Sequence, residues 1–398
     1  MKNNKKLSTM LFCIAFCYFS CKKNDENFIV KVNNEVEILN SIEGNSSNFG
    51  ISIAFDDDEL ILTHPYEYSY PSTKSNFYIY TLKDDIISLK DTLNFFFGNS
   101  NQYGYGIAFN NNDLFVGYRW SIHSGINYFE KVNNKWIQRN NKINNTNFPN
   151  GNLSQNFGSS MCINENFLFV SDTRKNNSDI LQIQGRVFVY KKNLNWDYNT
   201  YLTASDKNIN DNFGFSIAST GDDLVIGAPN NDDNGEDRGS AYIFRKDING
   251  NWTEIKKILN SDGNGGDEFG KKVAISQKNF YISAPSKGKG VVYVVDKLTH
   301  KEIKIIENPF DCDNFGKAIA VINDKIAISS DSYSNPINKK LDGGIALYNE
   351  NNLNEPLCFY KPSSGVTETF ASEIIMTPNL IIANYPEYFY AKCYIFKH

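Results

Sequence analysis

Between residues 214 and 259 the apolar residues gather in four short runs, 214–219, 223–228, 239–246 and 252–259, divided by turns rich in Gly, Asp and Asn. The runs are enriched in β-branched and aromatic residues and have strand lengths, so each is predicted as a β-strand. No copy of this pattern holds an amphipathic helix. The pattern recurs along the chain. An aromatic-Gly pair stands at Phe49-Gly50, Tyr103-Gly104, Phe157-Gly158, Phe213-Gly214, Phe269-Gly270 and Phe315-Gly316, and Phe370-Ala371 keeps only the aromatic. The steps between these anchors are 54, 54, 56, 56, 46 and 55 residues. A fixed period of this size signals stacked or radially arranged units. Four residues after each anchor aromatic stands Ile53, Ile107, Met161, Ile217, Val273, Ile319 or Ile374. The next residue is small in most copies, as suits the innermost strand of a blade where seven strands converge: Ala54, Ala108, Cys162, Ala218, Ala274 and Ala320, with Ile375 in the seventh.

Seven units of four antiparallel strands predict an all-β, seven-bladed β-propeller. The two ends of the chain favour a closed ring over an open solenoid. The last unit stops at Cys393–His398, which matches a third strand, and Val36-Glu37-Ile38-Leu39 ahead of the first anchor supplies the missing fourth. Pairing the two would complete the last blade and remove an exposed edge.

Phe-Gly followed by Ser216-Ile217-Ala218, a short Asp turn, Leu224-Val225-Ile226-Gly227-Ala228-Pro229 and Gly239-Ser240-Ala241-Tyr242-Ile243-Phe244 resembles the FG-GAP repeat of integrin α-subunit propellers and of bacterial secreted proteins. The resemblance extends over about residues 36–398 and is closest in the fourth and fifth units. Elsewhere Thr63-His64-Pro65, Gly117-Tyr118-Arg119, Ser171-Asp172-Thr173, Ser329-Ser330-Asp331 and Ala383-Asn384-Tyr385 take the Gly-Ala-Pro place. Calcium-binding integrin repeats carry an Asp-x-Asp-x-Asp-Gly loop between the two motifs. Only short turns such as Thr220-Gly221-Asp222-Asp223 fill that gap here, so those calcium sites do not carry over.

Length alone would allow two or three domains in 398 residues, but contiguous copies join residues 28–398 into one. A content of 41% hydrophobic residues can build a sizeable core. Residues 1–20 read as a signal peptide, with a Lys-rich start and an apolar run from Leu7 to Phe19 that is too short for a membrane span. Ser20-Cys21-Lys22-Lys23 then resembles a bacterial lipoprotein leader, which implies lipidation at Cys21. Residues 21–27 form a tether whose charges resemble the export signal of Bacteroidota surface lipoproteins. The expectation is an exported outer-membrane lipoprotein held to the membrane by a lipid anchor only, with the periplasmic and the cell-surface side both open to it. The leader holds three lysines and no acid, so its removal takes the net charge from −5 to −8. An acidic chain with no basic stripe argues against nucleic acid. Of seven cysteines, Cys13 and Cys17 lie in the leader, Cys21 follows it, and Cys162 takes the small inner-strand place. The rest form no Cys-x-x-Cys or His/Cys cluster, which argues against a zinc or redox site.

Loops between the second and third strands share one face of the disc and vary most in length, which is where binding usually sits. Those of units one, two and seven are aromatic: Tyr66, Tyr68 and Tyr70; Tyr118, Arg119, Trp120 and His123; Tyr385, Tyr388 and Tyr390. These units become neighbours once the ring closes. Tyr, Trp and Arg dominate interface hot spots, and aromatic planes stack on sugars. A surface protein or a polysaccharide is the expected partner. In the fourth unit Asp232, Asp233, Asn234 and Asp237 offer oxygens for Ca²⁺, without the spacing of an EF-hand. Four histidines, none placed with a Ser, Cys or Asp in a recognisable triad, give catalysis little basis. A non-catalytic binding or adhesion propeller is therefore expected, with no cofactor unless that loop takes calcium. A polysaccharide lyase or hydrolase with its site in the central funnel, and a structural module of an envelope complex, remain as alternatives.

Overall fold

The computed structural model describes residues 36–39, 50–56, 58–69, 72–83, 86–96, 101–110, 112–120, 123–143, 156–173, 184–206, 208–233, 235–310, 312–330, 344–360, 370–385 and 392–398. Cys21 and the rest of the leader and tether lie outside the described residues, and among those residues no helix is long and apolar enough to cross a membrane. The strands pair into seven four-stranded antiparallel sheets. Strand β1 (Val36–Leu39) belongs to the last blade. The first blade is β2 (Ile53–Asp56), β3 (Glu59–Ser69), β4 (Ser72–Lys83) and β5 (Ile86–Phe96), and the second is β6 (Asn101–Asn110), β7 (Asp113–Trp120), β8 (His123–Val132) and β9 (Lys135–Ile143). The third is β10 (Phe157–Asn164), β11 (Phe167–Asp172), β12 (Arg186–Lys192) and β13 (Trp196–Leu202). Blade four is β14 (Ser216–Thr220), β15 (Asp223–Ala228), β16 (Ser240–Lys246) and β17 (Trp252–Ile258). Blade five is β18 (Val273–Ile275), β19 (Asn279–Ala284), β20 (Val291–Asp296) and β21 (Glu302–Glu307). Blade six is β22 (Ile319–Ile322), β23 (Lys325–Ser330), β24 (Gly344–Asn349) and β25 (Cys358–Tyr360). Blade seven is β26 (Ile374–Met376), β27 (Leu380–Tyr385), β28 (Lys392–Lys397) and then β1, with Val36 opposite Ile395 and Leu39 opposite Lys392.

Both faces of a blade are covered by its neighbours, so its middle strands read as unbroken buried runs; all six residues of β11, β15 and β19 are buried. The apolar side chains sort into seven clusters, one in each interface between successive blades. The cluster of Leu60, Leu62, Ile382 and Ile395 joins blade seven to blade one. Three tryptophans fill equivalent places near the start of the outermost strand. Trp196 meets Phe115 edge-on at 5.2 Å and Trp252 meets Phe169 at 5.0 Å, each reaching the preceding blade. Trp136 joins Phe77 and Ile79 of blade one in the same way.

The anchor glycine is needed for a turn. Gly50, Gly158, Gly214, Gly270 and Gly316 lie at φ between +66° and +95°, and Ala371 at +52°. From this conformation the anchor amide donates to a carbonyl at the end of the second strand: Gly50 to Thr63 at 2.6 Å, Gly214 to Gly227 at 3.0 Å, Gly270 to Ser283 at 2.9 Å, Gly316 to Ser329 at 2.9 Å and Ala371 to Asn384 at 2.7 Å. These bonds correct the seventh repeat by one residue, since Asn384 and not Ala383 holds the Gly place of Gly-Ala-Pro. The side chain there also accepts the amide two residues beyond the anchor. Ser52 donates to Thr63 Oγ1 at 3.1 Å, Ser160 to Ser171 Oγ at 2.8 Å, Lys272 to Ser283 Oγ at 2.9 Å, Ala318 to Ser329 Oγ at 3.0 Å and Glu373 to Asn384 Oδ1 at 2.7 Å.

The same position meets the next blade. Ser329 Oγ donates to Ala371 O at 2.7 Å, and a Cβ on Gly227 would fall 1.9 Å from Gly270 O. In blade seven Asn384 Nδ2 donates to Gly50 O at 2.9 Å and Ile51 O at 3.2 Å, which fastens the last blade to the first. A small or hydrogen-bonding residue is required because the backbones of adjacent blades come closest here.

Candidate functional site

Residues expected in loops of units one and two prove to be strand. β3 holds 11 residues where β15, β19 and β23 hold 6, and it pairs with β4 up to Ser69 opposite Ser72, across a register shift between His64 and Glu67. The five residues from 65 to Ser69 carry the ladder roughly 16 Å beyond the common strand length, at about 3.3 Å per residue. β7 runs on by only two residues, Arg119 and Trp120, with Trp120 opposite His123 at the end of the β7–β8 ladder. The correction has a physical source: a run of alternate aromatic and polar residues satisfies its backbone by continuing the hairpin ladder. Tyr66 and Tyr68 thus stand on β3, Tyr118, Arg119 and Trp120 on β7, and His123 opens β8. The innermost strands β2, β6 and β26 of blades one, two and seven are neighbours, so the structure does bring these hairpins together around the ring.

Two of the expected contact residues are packed. Tyr385 is 5% exposed at the end of β27, within the cluster between blades six and seven and 6.3 Å from the Tyr394 ring, so it presents no binding surface. Tyr118 is half-buried and lies across Gly125 of β8, where an added Cβ would fall 2.4 Å from its hydroxyl. Burial pushes the Tyr118 phenol up. Tyr70, Tyr388 and Tyr390 lie outside the described residues, as do the side chains of Tyr66, Tyr68, Arg119, Trp120 and His123. His64 is fully buried in β3, 6.3 Å from the Tyr78 ring.

The acidic turn of blade four spends its oxygens internally. Asp232 Oδ1 accepts the Asp237 amide at 2.9 Å, and Asp237 Oδ1 accepts Asn230 Nδ2 at 2.8 Å. Asp233 pairs with Lys257, whose ammonium also pairs with Asp206 and donates to Asn231 Oδ1 at 3.0 Å. A lysine ammonium therefore serves as the cation of this loop. Asn234 lies outside the described residues, and among those residues no group of three acidic, His or Cys side chains could hold a metal ion. Burial pushes the Asp206 carboxyl up, yet hydrogen bonds from Lys257 and Tyr242 outweigh it and hold the group below the usual range. Blade five repeats the arrangement: Tyr293 donates to Asp262 Oδ1 at 2.6 Å and Lys287 pairs with it at 3.2 Å, which together hold Asp262 low.

Sequence reasoning missed the mouth of the axis. Lys272 Nζ of blade five lies 4.0 Å from Glu373 Oε1 of blade seven. Blade six stands between them in the ring, so this ion pair bridges the mouth. Burial pushes the Glu373 carboxyl up and the Lys272 charge offsets part of the rise. Beside it Lys271 bonds Glu268 at 2.6 Å and stands 4.8 Å over the Phe215 ring. The signal was available: both Lys272 and Glu373 stand three residues after their anchor aromatics. The mouth and the two long hairpins share the face of the disc that carries the connections between second and third strands, so a ligand seated there would meet aromatic, cationic and carboxylate groups. Cys162 and Cys393 carry free thiols, and Cys312 Sγ lies 3.0 Å from Ser330 Oγ.

The FG-GAP repeat family matches residues 196–244 and 252–295, each stretch running from the outermost strand of one blade to the third strand of the next, β13–β16 and β17–β20. No curated protein matches the chain. Among solved structures it is similar to Hsv2 of Kluyvelomyces marxianus, at 13% identity over 86% of this chain and 90% of that one, with a TM-score of 0.50. It is similar to the acylaminoacyl peptidase of Pyrococcus horikoshii, at 9% identity over 85% of this chain and 49% of that one, with a TM-score of 0.51. YCF48, solved bound to a D1 peptide, is similar at 7% identity over 92% and 94% of the two chains, with a TM-score of 0.51. Identities this low show a shared fold alone.

Proposed function

We propose that this chain is an exported, non-catalytic propeller that binds a surface protein or a polysaccharide through the long hairpins of blades one and two. The observation that carries this reading is the extension of β3–β4 and β7–β8 past the rest of the ring, with Tyr66, Tyr68, Arg119, Trp120 and His123 on the extensions. Two projecting ladders on adjacent blades make a rigid wall of main chain, and rigid aromatic positions lower the entropy cost of binding. Tyr70, Tyr388 and Tyr390 extend the same sector in sequence. Lipidation at Cys21 would hold the protein at the outer membrane.

The test is a binding screen of the full chain against immobilised polysaccharides and envelope proteins, with a Tyr66→Ala, Tyr68→Ala, Trp120→Ala variant of unchanged denaturation midpoint beside it. Binding that the variant loses by tenfold or more supports the hairpin sector. Equal binding by both overturns it.

A further inference from the structure

The turns between third and fourth strands carry an oddity in three consecutive blades. Leu194 is 99% exposed, Ile248 100% and Leu298 88%. None of the three is needed by its turn. Asn193 N bonds Asn195 O at 2.9 Å, Asp247 Oδ1 accepts the Asn249 and Asn251 amides at 2.8 and 2.9 Å, and Asp296 Oδ1 accepts Thr299 N at 2.7 Å. Polar residues favour such turns, and blade two has Asn133 and Asn134 there at φ +51° and +61°. In blade six the corresponding Leu353 packs into the core. Isolated aliphatic tips standing one blade apart on a convex rim do not make the contiguous concave patch that a protein partner buries. They suit a fluid apolar phase.

Topology supplies the second observation. Within a blade the third strand ends, and the fourth begins, on the face that holds these turns. β1 is a fourth strand, and its first residue Val36 pairs with Ile395 near the end of β28. Val36, from which the chain leads back to Cys21, therefore lies on the same face as the three tips. The fifteen residues from Cys21 to Val36 reach at most about 50 Å, so an anchor at Cys21 bounds the distance of Val36 from the membrane and leaves the tips within reach of it. Three lysines at the strand ends around the tips are paired, Lys192 with Asp113, Lys246 with Asp222 at 3.0 Å and Lys297 with Asp223 at 3.0 Å, while the Asp247 and Asp296 carboxylates of the turns are occupied by turn amides.

We infer that the tips Leu194, Ile248 and Leu298 dip into the lipid surface to which the chain is tethered, so that the disc lies with this face on the bilayer and the long hairpins of blades one and two point away. The inference rests on the exported, membrane-held reading above. Contact is driven by apolar side chains and not by charge, so it persists in high salt.

The experiment holds the full chain on phosphatidylethanolamine–phosphatidylglycerol vesicles through an N-terminal hexahistidine tag and a nickel-chelating lipid. An environment-sensitive dye is placed by Leu194→Cys, Ile248→Cys or Leu298→Cys, and by Ser286→Cys on the opposite face as control. Blue-shifted emission at all three tips, quenched by spin-labelled lipid chains and unchanged at 1 M salt, with no shift at 286, supports the inference. Unshifted tips on tethered protein overturn it. So does a tip shift without vesicles that grows with protein concentration, which would mean self-association. Because the tag supplies the tether, failure here is separate from failure of lipidation, which partitioning of a Cys21→Ser variant in cells reports.

Discussion

Replacing Asn384 by Leu should open the ring at one seam. The Asn384 side chain is fully buried. Its Oδ1 accepts Glu373 N at 2.7 Å and Ser372 Oγ at 3.0 Å, and its Nδ2 donates to Gly50 O and Ile51 O across the join of blades seven and one. Leucine has nearly the same size and admits no water in its place, so the Glu373 amide and the Gly50 carbonyl lose their partner. At roughly 1–3 kcal/mol for each of these two buried groups left unpaired, the loss comes to about 2–6 kcal/mol, a large share of the ~5–15 kcal/mol that holds a typical fold. Asn384→Ser should cost only about 1 kcal/mol, because Ser329 at the equivalent place of blade six both accepts an amide and donates to the next blade. Guanidinium unfolding followed by tryptophan fluorescence measures the total. Amide hydrogen exchange then locates it: β1, β2, β26 and β28 should lose protection while β14–β21 keep theirs. A leucine variant within about 0.5 kcal/mol of the parent, the range of an ordinary surface substitution, would refute the claim that this residue closes the ring.

Gly227→Ala should destabilise by more than about 2 kcal/mol, since its Cβ would meet Gly270 O at 1.9 Å, whereas Gly221→Ala, with φ +57° and nothing within 4 Å, should cost only about 1 kcal/mol; thermal unfolding of the pair separates backbone crowding from left-handed strain. Lys257→Met removes the cation shared by Asp206 and Asp233 and should cost roughly 1 kcal/mol at neutral pH, allowing for solvent screening. Asp206 is held low in the fold, so its contribution is present above its unfolded value and lost as pH falls through the folded one; the difference between parent and variant should therefore shrink below about pH 4, and denaturant midpoints at pH 7 and pH 3 check the sign. Burial pushes the Cys162 and Cys393 thiols up to about 12, so peptide-level mass spectrometry should find both unreacted with iodoacetamide at pH 8 in the fold and alkylated in denaturant.

Much of this architecture is written locally. The aromatic-Gly anchors, the small residue five places beyond each anchor aromatic and the unpaired third strand at Cys393–His398 are short-range or periodic features, and each keeps its meaning wherever the blade sits. The candidate site was less legible. Tyr66 and Trp120 stand in sequences that look like loops because turn residues flank them, and only pairing across β3–β4 and β7–β8 makes them ladders. Tyr385 and Tyr118 look like free aromatics until neighbouring strands cover them. The acidic turn looks like a cation site until Lys257, some twenty residues on, arrives with its own charge.

By itself the sequence determined the unit, the number of units and the closing strand, because hydrophobic period, turn chemistry and repeat length act through residues close in the chain. Tertiary structure alone decided which aromatic is wall and which is core, that Lys272 and Glu373 pair past blade six, that Asn384 bolts the last blade to the first, and that Leu194, Ile248 and Leu298 share a face with Val36. Those outcomes depend on contacts between blades many residues apart, where burial and pairing are set by the closed ring and no local pattern encodes them.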